Sequence, residues 1–237
     1  MSEIHISIDD VKGIFKALIK ESPSSVFETR TLAFLRDMHR KYGTTFTLYC
    51  TYQHDGYSLS GVTDKYRDEF ISNSDWLKFG FHCYDEADDY SKAETDDFAR
   101  KYNSFITEIK RVTGQNEELT ALRIHGFAGN EDVCRVLWAN GVEVLFASDD
   151  NRSNYYLTEQ QNSNLNNKLQ IFDAATGLKF YKSCTRLEKA DELGEVIRRY
   201  RELQVDYVPV FTHEWLLDDA EIRGKLETIC KAETSIK

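Results

Sequence analysis

Strand and helix signals alternate along almost the whole chain, and that alternation narrows the fold more than any other feature. The pattern begins at Ile4-His5-Ile6-Ser7-Ile8-Asp9-Asp10, where β-branched residues at period two predict a strand. Ile14, Phe15, Leu18 and Ile19 then share one helical face, and Pro23 ends that helix. A second helix carries Leu32, Phe34, Leu35 and Met38, with His39, Arg40 and Lys41 near its C-terminal end and Gly43 as its stop. Further strands are predicted at 45–51, 76–81, 119–124, 142–147 and 207–211. Helical patterns separate most of them, the longest running from Glu94 to Val112 and closed by Gly114, and Asn130 caps a shorter one. Strands joined by helical crossovers imply a largely parallel sheet.

The alternation breaks once. The stretch Asn151 to Lys168 is polar and rich in Asn, and reads as a loop on the active face. Leu169-Gln170-Ile171-Phe172 and Leu178-Lys179-Phe180-Tyr181 then flank Ala174-Ala175-Thr176-Gly177, the pattern of a β-hairpin. With no repeat and no linker, residues 1–237 are expected to form one domain with an insertion around 151–188.

Charge excludes two classes of partner. Forty acidic against 30 basic residues leave a formal charge of −10, the wrong sign for a general binder of nucleic acid or anionic membrane. No apolar run is long enough to cross a bilayer and no leader pattern opens the chain, so a soluble, cytoplasmic protein is expected. The five cysteines are dispersed without C-x-x-C spacing, which suits small core residues better than a disulfide framework or structural zinc. The oligomeric state is not legible.

In parallel α/β folds ligands bind beyond the carboxyl ends of the strands. Here five predicted strands end in Asp9-Asp10, His82, His125, Asp149-Asp150 and His213. A lone Asp-Asp before a helix is ordinarily a cap, and a lone strand-end His a structural hydrogen bonder. Repetition at one end of several strands points instead to a shared site. Imidazole and carboxylate together bind divalent metals such as zinc, while a further carboxylate and imidazole can act as base and acid in hydrolysis of an amide or ester.

The order of these motifs resembles that of the NodB-homology polysaccharide deacetylases, carbohydrate esterases built on a distorted, seven-stranded, TIM-like (β/α) barrel. The likeness runs from about Ile6 to Trp215 and looks most like a divergent bacterial branch. Ser7-Ile8-Asp9-Asp10 is similar to the family's Thr-Phe-Asp-Asp motif, which implies that Asp9 is the catalytic base and Asp10 a metal ligand. Phe79-Gly80-Phe81-His82-Cys83-Tyr84-Asp85-Glu86 falls where the family has His-Ser/Thr-x-x-His, so the resemblance makes His82 a ligand and sets Glu86 where the second histidine would stand. Arg123-Ile124-His125 matches Arg-x-Pro with His125 in place of the proline. Asp149 and Asp150 lie where a further Asp orients the catalytic groups, and Thr212-His213 resembles the closing Leu-x-His, whose His is the acid.

The expected function is therefore removal of an acyl group from a carbohydrate, with a divalent metal, zinc foremost, held by Asp10 and His82 with Glu86 or His125. Asp9 and His213 serve as base and acid, oriented by Arg123 and Asp149. Tyr84, Asp150 and Trp215 are candidate substrate contacts, since aromatic faces pack on sugar rings. His5, His39 and His54 read as structural or surface residues. Two rivals stand beside this reading: a metal-independent glycoside hydrolase pairing Asp9 or Asp10 with Asp150 or Glu214, and a lapsed barrel that only binds a sugar or a partner.

Overall fold

The computed structural model describes residues 3–117, 119–190 and 193–234. The strand that opens the sequence is its structural centre. β1 (Glu3–Val11) lies between β2 (Phe46–His54) and β10 (Tyr207–His213), parallel to both. Its Ile4, Ile6 and Ile8 are buried on the outer face, and so are Ser7 and Asp9 on the inner one. A strand covered on both sides in this way belongs to a barrel wall or a sheet clad in helices.

β4 (Leu77–Asp85) extends the wall beyond β2, and β9 (Thr185–Arg186) extends it beyond β10, while β3 (Tyr57–Ser58) is a short antiparallel flap on β2. A second sheet runs in the order β5-β6-β8-β7, with β5 (Ala121–Leu122), β6 (Val144–Ala147) and β8 (Lys179–Lys182) parallel. β7 (Gln170–Phe172) is antiparallel to β8, forming the predicted hairpin. Its second strand also pairs with β6, so the hairpin is stitched into the wall. At Ser183-Cys184 the chain changes partners: the Ser183 N–H reaches the Ala147 carbonyl and the Cys184 N–H that of Pro209, joining the two sheets. This is the expected α/β architecture, a distorted barrel of mixed sheets.

Helices α1 (Gly13–Glu21), α2 (Arg30–Tyr42), α3 (Arg67–Ile71), α4 (Thr95–Thr113), α5 (Glu131–Ala139), α6 (Glu159–Lys168), α7 (Leu193–Glu202) and α8 (Ala220–Thr234) connect or follow the strands. Phe98, Tyr102 and Phe105 of α4 bury their rings around Phe81 of β4, edge to face at 5.2–5.9 Å. Gly43 and Gly114 stop α2 and α4 in left-handed conformation, and Asn130 caps α5, as expected. The stretch expected to be a loop at 151–168 instead contains α6, whose polar sequence hides its signal. Thr158 and Gln161 form a reciprocal capping box that starts it. Strand β4 also runs past its predicted end, through His82 to Asp85.

No helix among the described residues is long and apolar enough to cross a membrane.

Candidate active site

The barrel interior is polar, and Arg123 organises it. Its guanidinium, with no accessible surface, donates to Ser7, to Asp9 Oδ1 at 3.1 Å and to Ser183 Oγ at 3.2 Å. It also lies 4.1 Å from the centre of the Phe211 ring. Cation, carboxylate and ring together make burial of the charge tolerable. Below it, toward the amino ends of the strands, His5 contacts the Tyr49 hydroxyl at 3.1 Å and stacks near Phe146. Burial first, and then the Arg123 charge, push its pKa down to about 3.

Above Arg123, three backbone irregularities converge. Leu48 and Cys50 of β2, two residues apart, pair with Ile8 and Val11 of β1, so Asp9-Asp10 contains one residue too many for the ladder. Asp10 takes up the excess with φ 55°, a left-handed conformation rare outside glycine. On β4, Phe81 and Cys83 pair with the adjacent residues Cys50 and Thr51, which makes His82 the extra residue of a second bulge. The third irregularity follows β5, where His125 opens a turn in which Gly126 (φ 67°) and Phe127 (φ 56°) are both left-handed.

These three points bring Asp10, His82 and His125 together, with ligand atoms within 4.8 Å of one another. His82 Nε2 lies 3.2 Å and His125 Nδ1 3.4 Å from Asp10 Oδ1. The His82 Nδ1–H donates to the Arg123 carbonyl at 2.6 Å, which in the neutral ring leaves the Nε2 lone pair facing the carboxylate. His125 Nδ1 is buried without a well-aligned hydrogen-bond partner. Burial opposes ionisation of Asp10, yet the neighbouring imidazoles, His125 first and then His82, hold its carboxyl well below the usual range. For His82, burial favours the neutral ring, but Asp10 and Asp9 raise its pKa overall. A buried imidazole nitrogen without an aligned partner, a lone pair facing a carboxylate and a two-nitrogen, one-oxygen donor set fit a divalent cation of the zinc type.

His213 stands beside Asp9, its register partner across β1 and β10. Its Nδ1 is 2.8 Å from Glu188 Oε1, and Trp215, 64% exposed, stacks on the ring at 5.6 Å. Burial works against the Glu188 charge, but His213 lowers its pKa overall. Glu188 was not among the sequence candidates. It lies two residues past β9, and only that place near a strand end could have signalled it.

Several expected residues are held elsewhere. Glu86 pairs with Lys12 and lies 3.4 Å from His54 Nε2, outside the three-residue group. His125 is the second imidazole of that group. Asp149 pairs with Arg186 at 3.0 Å, so the carboxylate on His213 comes from Glu188 instead. Asp150 is occupied by Arg152 and Ser148. Tyr84 stacks on Tyr52 at 4.4 Å under Lys101 of α4, turned toward that helix. Trp215 and Asp10 line an open cavity of about 400 Å³ with Lys16, Ala17 and Arg30. The helix after β1 is capped by neither aspartate. Glu214 accepts the N–H groups of Lys12, Gly13 and Ile14 at 2.5–2.8 Å, and a Cβ on Gly13 would sit 2.9 Å from that carboxylate.

No family model and no curated protein matches the sequence. Solved structures do match in shape. A Mycobacterium smegmatis protein assigned to the polysaccharide deacetylases superposes over 96% of this chain and 83% of its own, with TM-score 0.56 and 11% identity. A family 4 carbohydrate esterase from Streptomyces lividans, solved with acetate, matches over 99% and 89%, with TM-score 0.51 and 10% identity. The chain has the fold of the family 4 carbohydrate esterases. A pseudoenzyme of that family from Bacillus anthracis shares the fold as well, with TM-score 0.52 and 8% identity over 99% of this chain, which spans 61% of the Bacillus protein's length.

Proposed function

We propose that this chain is a divergent family 4 carbohydrate esterase, a metal-dependent hydrolase that removes an acyl group from a sugar. The observation that carries the reading is the convergence of Asp10, His82 and His125 between two prepared side-chain pairs, Asp9 with Arg123 and His213 with Glu188. Asp10, His82 and His125 would hold the ion, which supplies Lewis-acid polarisation of the acyl carbonyl when bound. Asp9, oriented by Arg123, accepts a proton from the attacking water. His213 gives a proton from Nε2 to the departing amine or alkoxide, and Glu188, 2.8 Å from Nδ1, offsets the imidazolium charge. The exposed face of Trp215 offers the sugar an apolar platform next to the acid.

The paired-carboxylate glycosidase is disfavoured, because Glu214 is consumed by three backbone N–H groups and Asp150 by Arg152. The lapsed barrel stays as the second reading, supported by the loss of the second metal histidine to Glu86 in its pair with Lys12. Metal content of protein purified without added metal separates the two. About one ion per chain is expected for the wild type and for Glu86→Gln, and none for His82→Ala. Acetate release from acetylated saccharides should then vanish in Asp9→Asn. A wild type that is metal-free and fails to take up zinc would sink the hydrolase reading.

A further inference from the structure

The two sheets meet along two lines. One is closed by backbone hydrogen bonds at Ser183-Cys184. The other, between β4 and β5, has no ladder among the described residues: β4 pairs with β2, and β5 pairs with β6. Side chains stand in for the missing ladder. The Gln115 amide accepts from the Phe79 N–H at 2.9 Å and donates to the Phe79 carbonyl at 2.8 Å, occupying the place of a neighbouring strand. The Tyr49 hydroxyl donates to the Ala121 carbonyl at 2.9 Å, and His82 Nδ1 to that of Arg123 at 2.6 Å. The barrel is therefore a split ring, and its open seam passes through the candidate metal group. Asp10 and His82 belong to one half-shell, whereas His125 hangs from the two-residue β5 of the other, on a turn with consecutive left-handed residues.

We infer that this group is the clasp of the barrel: a divalent cation bound by Asp10, His82 and His125 ties the half-shells together, so that ion uptake and closure of the β4–β5 seam are one equilibrium. The inference rests on the metal-site reading above. It follows from donor placement. A site whose ligands all lay on one sheet would leave the seam indifferent to the ion, while a site that straddles it is destroyed when the seam opens. An ion that binds only the closed form then raises the cost of opening by RT ln(1 + [M]/Kd). Drawing the second imidazole from 125 instead of 86 is what moves the site across the seam.

Hydrogen exchange on the full chain, with zinc or with chelator, tests this. Amides at 119–125 should exchange by local opening without metal, and slow by up to about 100-fold at zinc 100 times its Kd. In His125→Ala and His125→Gln, checked for native far-UV circular dichroism, zinc that still binds Asp10 and His82 should leave those amides unchanged. Slowing that persists in both variants would overturn the clasp. So would a wild type whose zinc binding depends on Asp10 and His82 but whose exchange at 119–125 does not respond, and in that case the hydrolase reading would survive. A wild type that binds no zinc would remove both.

Discussion

A guanidinium without accessible surface must be neutralised from inside, and Arg123 is met by Asp9, Ser7 and Ser183. Removing it strands the Asp9 carboxylate in the barrel. Arg123→Met should therefore cost about 3–5 kcal/mol in urea denaturation, and Asp9→Asn in that background should recover part of the loss. A place for Arg123 beside the candidate base came from the resemblance of Arg123-Ile124-His125 to Arg-x-Pro, and not from any periodicity. The partner of His213 was not legible. Asp149 is the obvious carboxylate in the sequence, but Arg186 takes it, and Glu188 follows a two-residue strand with no periodic signal. The distinction is measurable: Glu188→Gln should lower kcat on the order of 10²-fold with metal content unchanged, whereas Asp149→Asn should leave kcat near the wild-type value.

Among the elements, alternation predicted most of the strands and helices but not the two-residue β3 and β9, since period-two and period-3.6 patterns survive only in longer amphipathic segments. It failed on α6, where Asn and Gln replace the apolar stripe and only the Thr158-Gln161 box marks a start. It also could not show the bulges at Asp10 and His82. A bulge has no composition of its own. Two successive strand residues normally face opposite ways, and alternation alone does not say how Asp9 and Asp10 could face neighbouring groups. The extra residue in β1 lets Asp9 meet Arg123 while Asp10 meets His82 and His125. Gln115 is a similar case, a side chain doing the work of a strand. Gln115→Ala leaves the Phe79 N–H and carbonyl without their partner, and should cost about 1–3 kcal/mol by urea midpoint. Gln115→Glu, which keeps an acceptor for the N–H and loses the donor, should fall between.

For the molecule as a whole, the polar interior makes stability depend on pH. His5 is held neutral, with its pKa pushed down to about 3 by burial and by Arg123, while the unfolded chain protonates it near 6.5. Its contribution is complete above about pH 6.5 and is lost as pH falls toward 3, by at most about 1.4 kcal/mol per pH unit. Urea midpoints at pH 7 and 5 should therefore drop less in His5→Gln than in the wild type. The same centre has a history in time. β1 is made before β2 to β9, yet its neighbour β10 begins only at Tyr207, and Asp9 waits for His213 opposite it. During synthesis the intervening strands β5, β6 and β8 can pair among themselves while the aspartate strand still lacks one flank, with Ile4, Ile6 and Ile8 short of their final cover. β1, which precedes the other strands, is thus among the last of them to be locked in place. A chain that stops before Tyr207 would carry a bare apolar edge, the kind that recruits other chains instead of its own.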